Sequence, residues 1–151
     1  MKQIITLFSI LFLLTGCNND DSNESNQAPV PFSVIAQDDT FPDDENFPKS
    51  NLVIKDTQAW TAFMAKINAT NNETGKFTET NIDFTKYQII AVVDEIYKNG
   101  GHSIDITKIS EEPNRIIVKV EKLLKGNIAT VITQPYHIVK IPKTSKKVVF
   151  K

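Results

Sequence analysis

The chain has 151 residues, with 17 Lys and Arg against 18 Asp and Glu, so its formal net charge at pH 7 is −1. This balance excludes the strongly basic surface that nucleic-acid binding requires, and the length fits one domain of ordinary size. The single cysteine excludes a disulfide within the chain.

The N-terminal segment has the features of a bacterial export signal. Lys2 supplies a positive charge, and the apolar run at 7–14 is about ten residues too short to span a bilayer. The small residues Thr15 and Gly16 precede Cys17. This pattern resembles the lipobox of bacterial lipoproteins, which implies cleavage between Gly16 and Cys17 and acyl chains on Cys17. The sequence therefore predicts a lipoprotein that several acyl chains hold at a membrane.

The residues after the cysteine predict a tether. The stretch 18–27 contains no apolar side chain and cannot bury enough surface to offset the entropy of ordering it. The acidic pair at 20–21 resembles the export stretch of some Bacteroidota lipoproteins, which implies the outer membrane. A solvated linker that happens to be acidic is the alternative. We therefore expect a signal peptide, a flexible acidic tether and a single domain, at 1–16, 17–29 and 30–151.

The first part of the domain predicts two strands separated by an acidic loop. Val30 to Gln37 alternates imperfectly, and a short apolar run follows at Leu52 to Ile54. Carboxylates are the oxygen ligands that calcium prefers, but the glycine-containing calcium loop pattern is absent. A solvated acidic loop is therefore favoured over a calcium site at the five carboxylates of Asp38, Asp39, Asp43, Asp44 and Glu45.

One amphipathic helix is predicted, from an N-cap at Asp56 or Thr57 to about Asn68. A helix of this length is marginal alone in water, so its apolar stripe must pack on a sheet. An exposed ligand platform is the alternative, but the helical spacing favours the core. The stripe consists of residues at i, i+3, i+4 and i+7: Trp60, Phe63, Met64 and Ile67.

The rest of the chain predicts strands. The run at Tyr87 to Val93 is nearly continuous in apolar residues, which fits a central strand covered on both faces. The elements together predict an α+β fold that is mainly antiparallel β, with about six to seven strands in a sandwich or strongly twisted sheet and one helix packed on it. The remaining predicted strands, of which the last is an edge strand, are Ser103 to Ile109, Arg115 to Leu124, Thr130 to Thr133, Tyr136 to Ile141 and Val148 to Phe150.

Few residues in the sequence could support catalysis. His137 shares strand parity with Val139 and Ile141, which favours a core histidine over a general base. His102 lies beside Ser103, but neighbouring strand residues point to opposite faces, so this pair does not form a nucleophile and its base. No metal-ligand spacing and no phosphate-binding loop is present. We therefore expect no enzyme activity, no cofactor and no metal site.

Three segments carry a recognisable pattern: Ile82 to Thr85, Gly100 to Ile104 and Thr133 to Pro142. In this order and spacing they resemble the C-terminal domain of the PrcB family of protease-complex subunits. With the helix around Trp60, the resemblance covers about residues 52 to 142. It implies a non-catalytic lipoprotein that assembles with, or stabilises, a surface protease.

The contact surface for such a partner is inferred from residue types. Gly100 and Gly101 permit positive φ and a close backbone approach, His102 follows them in the turn, and Tyr136 offers a rigid aromatic surface. These four are the predicted partner contacts, although an ordinary hairpin turn also accounts for the glycines. A protease inhibitor that uses this turn, and a lipoprotein that binds a carbohydrate or small ligand, are the alternative functions.

Charge is unevenly distributed along the chain. Residues 122–151 carry seven lysines and no acid, whereas residues 18–56 carry nine acids and two lysines. The basic end predicts a solvated sheet edge that resists aggregation. Pairing of the basic end with the acidic segment within the chain, or a surface for anionic lipid headgroups or for an acidic partner, are the alternatives.

Overall fold

The computed structural model describes residues 27–39, 47–68 and 72–151. The predicted signal peptide, Cys17, most of the predicted tether and the acids at 43–45 lie outside these residues. No helix in the described ranges is long and apolar enough to cross a membrane. Those ranges contain one α-helix, a short 3-10 turn at Glu73–Lys76 and eight strands: β1 (Ala28–Pro29), β2 (Ser33–Asp38), β3 (Ser50–Ile54), α1 (Thr57–Ile67), β4 (Tyr87–Val93), β5 (Asp105–Glu111), β6 (Arg115–Glu121), β7 (Tyr136–Pro142) and β8 (Lys147–Phe150).

The strands form two four-stranded sheets. We call the sheet with strand order β2-β7-β4-β3 the central sheet and the sheet with order β1-β5-β6-β8 the outer sheet. All neighbouring strands are antiparallel except β6 and β8, which are parallel. The prediction of a mainly antiparallel α+β fold with one packed helix is confirmed, and β8 is an edge strand as expected.

Helix α1 covers one face of the central sheet. Asp56 is the N-cap, and its side chain accepts a hydrogen bond from the backbone N–H of Ala59 at 2.8 Å. Trp60 is 1% exposed, and its indole Nε1 donates to the Thr80 carbonyl at 2.7 Å. The predicted stripe is thus confirmed as core, with three buried members and Met64 partly buried: Trp60, Phe63 and Ile67.

The other face of the central sheet packs against the outer sheet. Ile90 and Val92 of β4 enter this inter-sheet core, while Ile89 and Ala91 of the same strand enter the core beneath α1. The prediction that β4 is covered on both faces is therefore confirmed. The inter-sheet core is completed by aliphatic residues from β5, β6 and β7: Ile106, Ile109, Ile116, Val118, Val139 and Ile141.

Two strand predictions are wrong. Strand β6 ends at Glu121 and does not reach Leu124, and residues 130–133 form no strand apart from an isolated bridge between Thr133 and Tyr97. The apolar residues that suggested strands there are exposed instead: Leu123, Leu124, Val131 and Ile132. The glycine turn is also not a hairpin, because β4 and β5 belong to different sheets.

Candidate functional site

Two connections cross between the sheets side by side. The link from β4 to β5 leaves the central sheet, and the link from β6 to β7 returns to it. Six backbone hydrogen bonds of 2.8–3.2 Å join the two links, including a reciprocal pair between Tyr97 and Thr133. We call these paired segments, residues 95–103 and 122–133, the crossover lobe. Because its backbone groups are paired, the lobe is an ordered structure without being part of either sheet.

Glycines allow the two segments of the lobe to approach closely. Gly101 has φ +72°, and its N–H donates to the Asp39 carboxylate at 3.2 Å. Gly126 has φ +95°, and a Cβ atom placed there would lie 2.4 Å from Nε2 of His102. Both positions therefore favour glycine through conformation and space. Sequence reasoning missed Gly126, although a Gly-Asn pair between two apolar runs is a turn signal.

His102 is held within the lobe. Its ring stacks on that of Tyr97, with centroids 3.6 Å apart and planes at 8°, and its Nε2 lies 3.1 Å from Oδ1 of Asn99. The side chain is half-buried, and Gly100 beside it is buried. These contacts make His102 and the two glycines the frame of the lobe.

Tyr136 lies apart from the other three predicted contacts. Its side chain is fully buried in the core beneath α1, and its hydroxyl lies 3.4 Å from the Glu73 carboxylate. Burial and the Glu73 charge raise the pKa of the Tyr136 hydroxyl. The structure therefore brings Gly100, Gly101 and His102 together and does not bring Tyr136 to the same surface.

The lobe carries most of the exposed apolar side chains in the described residues. Six of seven large apolar side chains that are exposed belong to it, and the seventh is Val34 on β2. Ile128 is 102% exposed, so nothing in the fold covers it. Single exposed apolar residues are ordinary, but six of them in two paired segments make the lobe a candidate interaction surface. The six residues are Ile96, Leu123, Leu124, Ile128, Val131 and Ile132.

Asp94, at the end of β4, fastens the lobe to the central sheet. Its side chain is 0% exposed and pairs with Lys122 at 2.8 Å and Lys49 at 2.9 Å, while the Tyr97 hydroxyl donates to it at 2.7 Å. Burial alone raises the pKa of this carboxyl, but the hydrogen bonds from Lys122, Lys49 and Tyr97 outweigh burial and lower it to about 2. The carboxylate therefore stays ionised at neutral pH and contacts both segments of the lobe, through Tyr97 and Lys122.

His137 sits in the interior, as its strand parity predicted. Its Nδ1 accepts a hydrogen bond from the Ile106 N–H at 3.0 Å, and burial lowers the pKa of the ring. Nε2 has no hydrogen-bond partner within the described residues. Over the same ranges, no group of three or more His, Cys, Asp or Glu side chains is placed to hold a metal ion. Asp38, one of the five acids considered above as calcium ligands, pairs with Lys76 at 2.9 Å.

The lobe and the N-terminal end of the described chain lie at opposite ends of the outer sheet. Ala28 pairs with Glu111 at one end of β5, whereas the lobe joins the other end, next to Asp105 and its partner Glu121. A strand of seven residues spans roughly 20 Å. The surface formed by the lobe is therefore about one strand length away from Gln27, the first described residue.

Comparison with known families gives two matches. Residues 90–142 match the family described as PrcB C-terminal, and residues 1–18 match the prokaryotic membrane lipoprotein lipid attachment site. The first match confirms the resemblance over residues 90–142, a span that contains the whole lobe. The second contains Cys17 and indicates a membrane-anchored lipoprotein of the cell envelope. No curated protein and no solved structure matches this chain.

Proposed function

We propose, from the PrcB C-terminal match and the lipid attachment site, that this chain is a lipid-anchored, non-catalytic subunit that assembles or stabilises a protease complex. The crossover lobe is the surface that binds the protein partner. The single observation that carries this proposal is the gathering of six exposed apolar side chains on one ordered lobe.

The composition of the lobe suits a protein partner. Besides its exposed leucines and isoleucines, the lobe carries the exposed lysines Lys98 and Lys125. Apolar residues at the centre of a contact provide its free energy, and surrounding charges steer encounter and orientation. The partner that fits is therefore an apolar surface with acidic residues at its rim.

The free energy available from the lobe is adequate for stable binding. Burying one Leu or Ile side chain gives about 1.5–3 kcal/mol, and a few such residues dominate most interfaces. Leu123, Leu124 and Ile128 are each more than half exposed. Because backbone hydrogen bonds already order the lobe, binding adds little cost of loop ordering.

Purification of the lipidated chain from its native envelope in mild detergent tests the proposal. We expect a protease recovered in near-stoichiometric amount and active in the same eluate. The Ile128→Ser, Leu124→Ser double variant should reduce that recovery by roughly tenfold or more, since each change removes about 1.5–3 kcal/mol of burial. Val34→Ser is the matched control, because it removes an exposed apolar side chain outside the lobe.

Other outcomes distinguish the alternative functions. A protease recovered in a silenced state would indicate an inhibitor instead of an assembly subunit. Recovery of no protein would contradict the proposal and favour binding of a carbohydrate or small ligand. Equal loss of the partner with Val34→Ser and with the double variant would show that the lobe is not the contact surface.

A further inference from the structure

The outer sheet exposes a face with like charges placed opposite one another. In β6 the residues alternate, so Ile116 and Val118 enter the core while Lys119 is exposed. On the exposed face Lys108 lies opposite Lys119, and the neighbouring strand pair places Arg115 opposite Lys147. Like charges directly across a strand pair destabilise a sheet, and an anionic partner relieves that repulsion. With Lys151 at the end of β8, these five residues are called the basic face.

Part of this charge is not neutralised within the fold. Lys119 pairs with Glu121 at 3.0 Å, and Arg115 pairs with Glu112 at 2.5 Å. The other three cations of the face make no ion pair with any residue that the structure describes: Lys108, Lys147 and Lys151. Three of the five cations are therefore not neutralised by an ion pair with a described residue.

An apolar depression lies among these lysines. A cavity of about 500 Å³ is lined by Ile117 and Val120, with Lys108, Lys119 and Lys151 at its rim. Glu121 also lines it and is paired with Lys119. A cationic rim around an apolar floor fits an anionic amphiphile: its charged head would contact the rim, and its apolar part would contact the floor.

The point where the chain leaves for its anchor adjoins the same face. Gln27 lines the cavity and accepts a hydrogen bond from the Ser110 hydroxyl at 3.2 Å. Gln27 is ten positions after Cys17, and ten residues span at most about 35 Å. Because residues 1–18 match a lipid attachment site, the basic face cannot move far from the bilayer.

We infer that the basic face docks on the anionic phospholipid headgroups of the membrane that carries the lipid anchor. The headgroup phosphates pair with the three cations that make no ion pair, and the depression accepts the less polar part of a lipid. The docked domain then has one orientation on the bilayer, with the crossover lobe beyond one end of the face. This inference depends on the lipid anchor and not on the identity of the protein partner.

Vesicle binding without the anchor measures this contact directly. The chain from residue 17 onward with Cys17→Ser lacks both signal and lipid, so any binding comes from the folded protein. We expect it to bind vesicles of phosphatidylcholine and phosphatidylglycerol in equal parts, and not vesicles of phosphatidylcholine alone. Each basic residue near an anionic surface contributes about 1 kcal/mol, or about fivefold in binding. Binding should also fall steeply as salt is added.

The decisive comparison uses two triple variants with the same change in net charge. Lys108→Gln, Lys147→Gln, Lys151→Gln removes only cations without an ion pair, so folding should be unaffected, and binding should fall roughly 100-fold. Thermal unfolding of each variant checks that the fold is intact. The control removes three exposed lysines that do not belong to the basic face: Lys55→Gln, Lys66→Gln, Lys86→Gln. Equal losses in both variants, or no binding by the unmodified chain, would overturn the inference.

The acidic residues Asp20, Asp21 and Glu24 provide a further test, because they are within seven positions of Gln27 along the chain. If the chain binds anionic vesicles only after Asp20→Asn, Asp21→Asn, Glu24→Gln, the chain itself occupies the basic face and membrane docking is excluded. If those changes leave the affinity within about fivefold, the value of one charge, the face is open to the membrane as inferred.

Discussion

The apolar stripe of α1 and the apolar residues of the crossover lobe are similar in composition and opposite in environment. Trp60 and Ile67 of the helix are at most 1% exposed, whereas Leu123 and Ile128 of the lobe are 61% and 102% exposed. The helix is held by packing on the central sheet. The lobe is held by backbone hydrogen bonds and by polar side chains such as Asp94. Its order therefore does not depend on burying its own apolar side chains, which stay available to a partner.

The largest effect should come from the helix. Trp60→Ala removes a buried ring that stacks on Phe63 and Phe77, with centroids 5.7 Å and 6.0 Å apart. We expect a loss of about 3–5 kcal/mol in the free energy of unfolding, out of a total of about 5–15 kcal/mol. Chemical denaturation measures it, and the partly buried Met64 of the same stripe provides the control Met64→Ala, which should cost less. A cooperative melt of Trp60→Ala within a few degrees of the unmodified protein would contradict the role of the stripe.

The next effect should come from the polar contacts that fasten the lobe. Asp94→Asn removes a buried charge that pairs with Lys49 and Lys122. In the folded protein the pKa of this carboxyl is lowered from 3.8 to about 2, so we expect a loss of about 2 kcal/mol in the free energy of unfolding. Amide hydrogen exchange at Gly126 should also accelerate. Glu95→Gln is the control, because this exposed carboxylate shares the Lys122 contact. Unchanged stability and exchange in Asp94→Asn would show that the lobe is held by other contacts.

The same carboxylate predicts a pH dependence. Its folded pKa is below the unfolded value, so its contribution is complete above about pH 4 and disappears as the pH falls through about 2. The difference in stability between the unmodified chain and Asp94→Asn should therefore shrink over that interval. A difference that stays constant from neutral pH to pH 2 would mean that Asp94 is not the group responsible.

The smallest effect on stability should come from the tip of the lobe. Ile128 is 102% exposed, so Ile128→Ser should change the free energy of unfolding by less than about 0.5 kcal/mol. Thermal unfolding at neutral pH measures this directly. A loss of several kcal/mol would show that the side chain is covered in solution, and the contrast between helix and lobe would then be wrong.

Some elements follow from the sequence because their patterns allow only one interpretation. Strand β4 matches the predicted range Tyr87 to Val93 in full, since a continuous apolar run of that length fits a strand covered on both faces. Helix α1 combines an N-cap at Asp56 with apolar residues at helical spacing. In both cases the local pattern and the tertiary environment favour the same structure.

The lobe does not follow from the sequence, because its structure depends on which surfaces the rest of the fold covers. Leu124 keeps the parity of Val118 and Val120 in β6, yet both Leu123 and Leu124 are more than half exposed. The pair Gly100-Gly101 is compatible with a hairpin turn and with a connection between two sheets. Only the sheet topology shows which of these two structures forms. The burial of Tyr136 could have been predicted, because Tyr136 shares strand parity with Ile138. Both residues are fully buried.

Site-specific photo-crosslinking in the native envelope tests the central claim most directly. A photoreactive amino acid is placed at position 128 of the lobe or, as the control, at position 34 of β2, where the natural residue is also exposed. The account predicts one discrete adduct with a protein of the protease complex from position 128 and none from position 34. The same adducts from both positions, or an adduct from position 34 alone, would contradict the assignment of the lobe as the partner-binding surface.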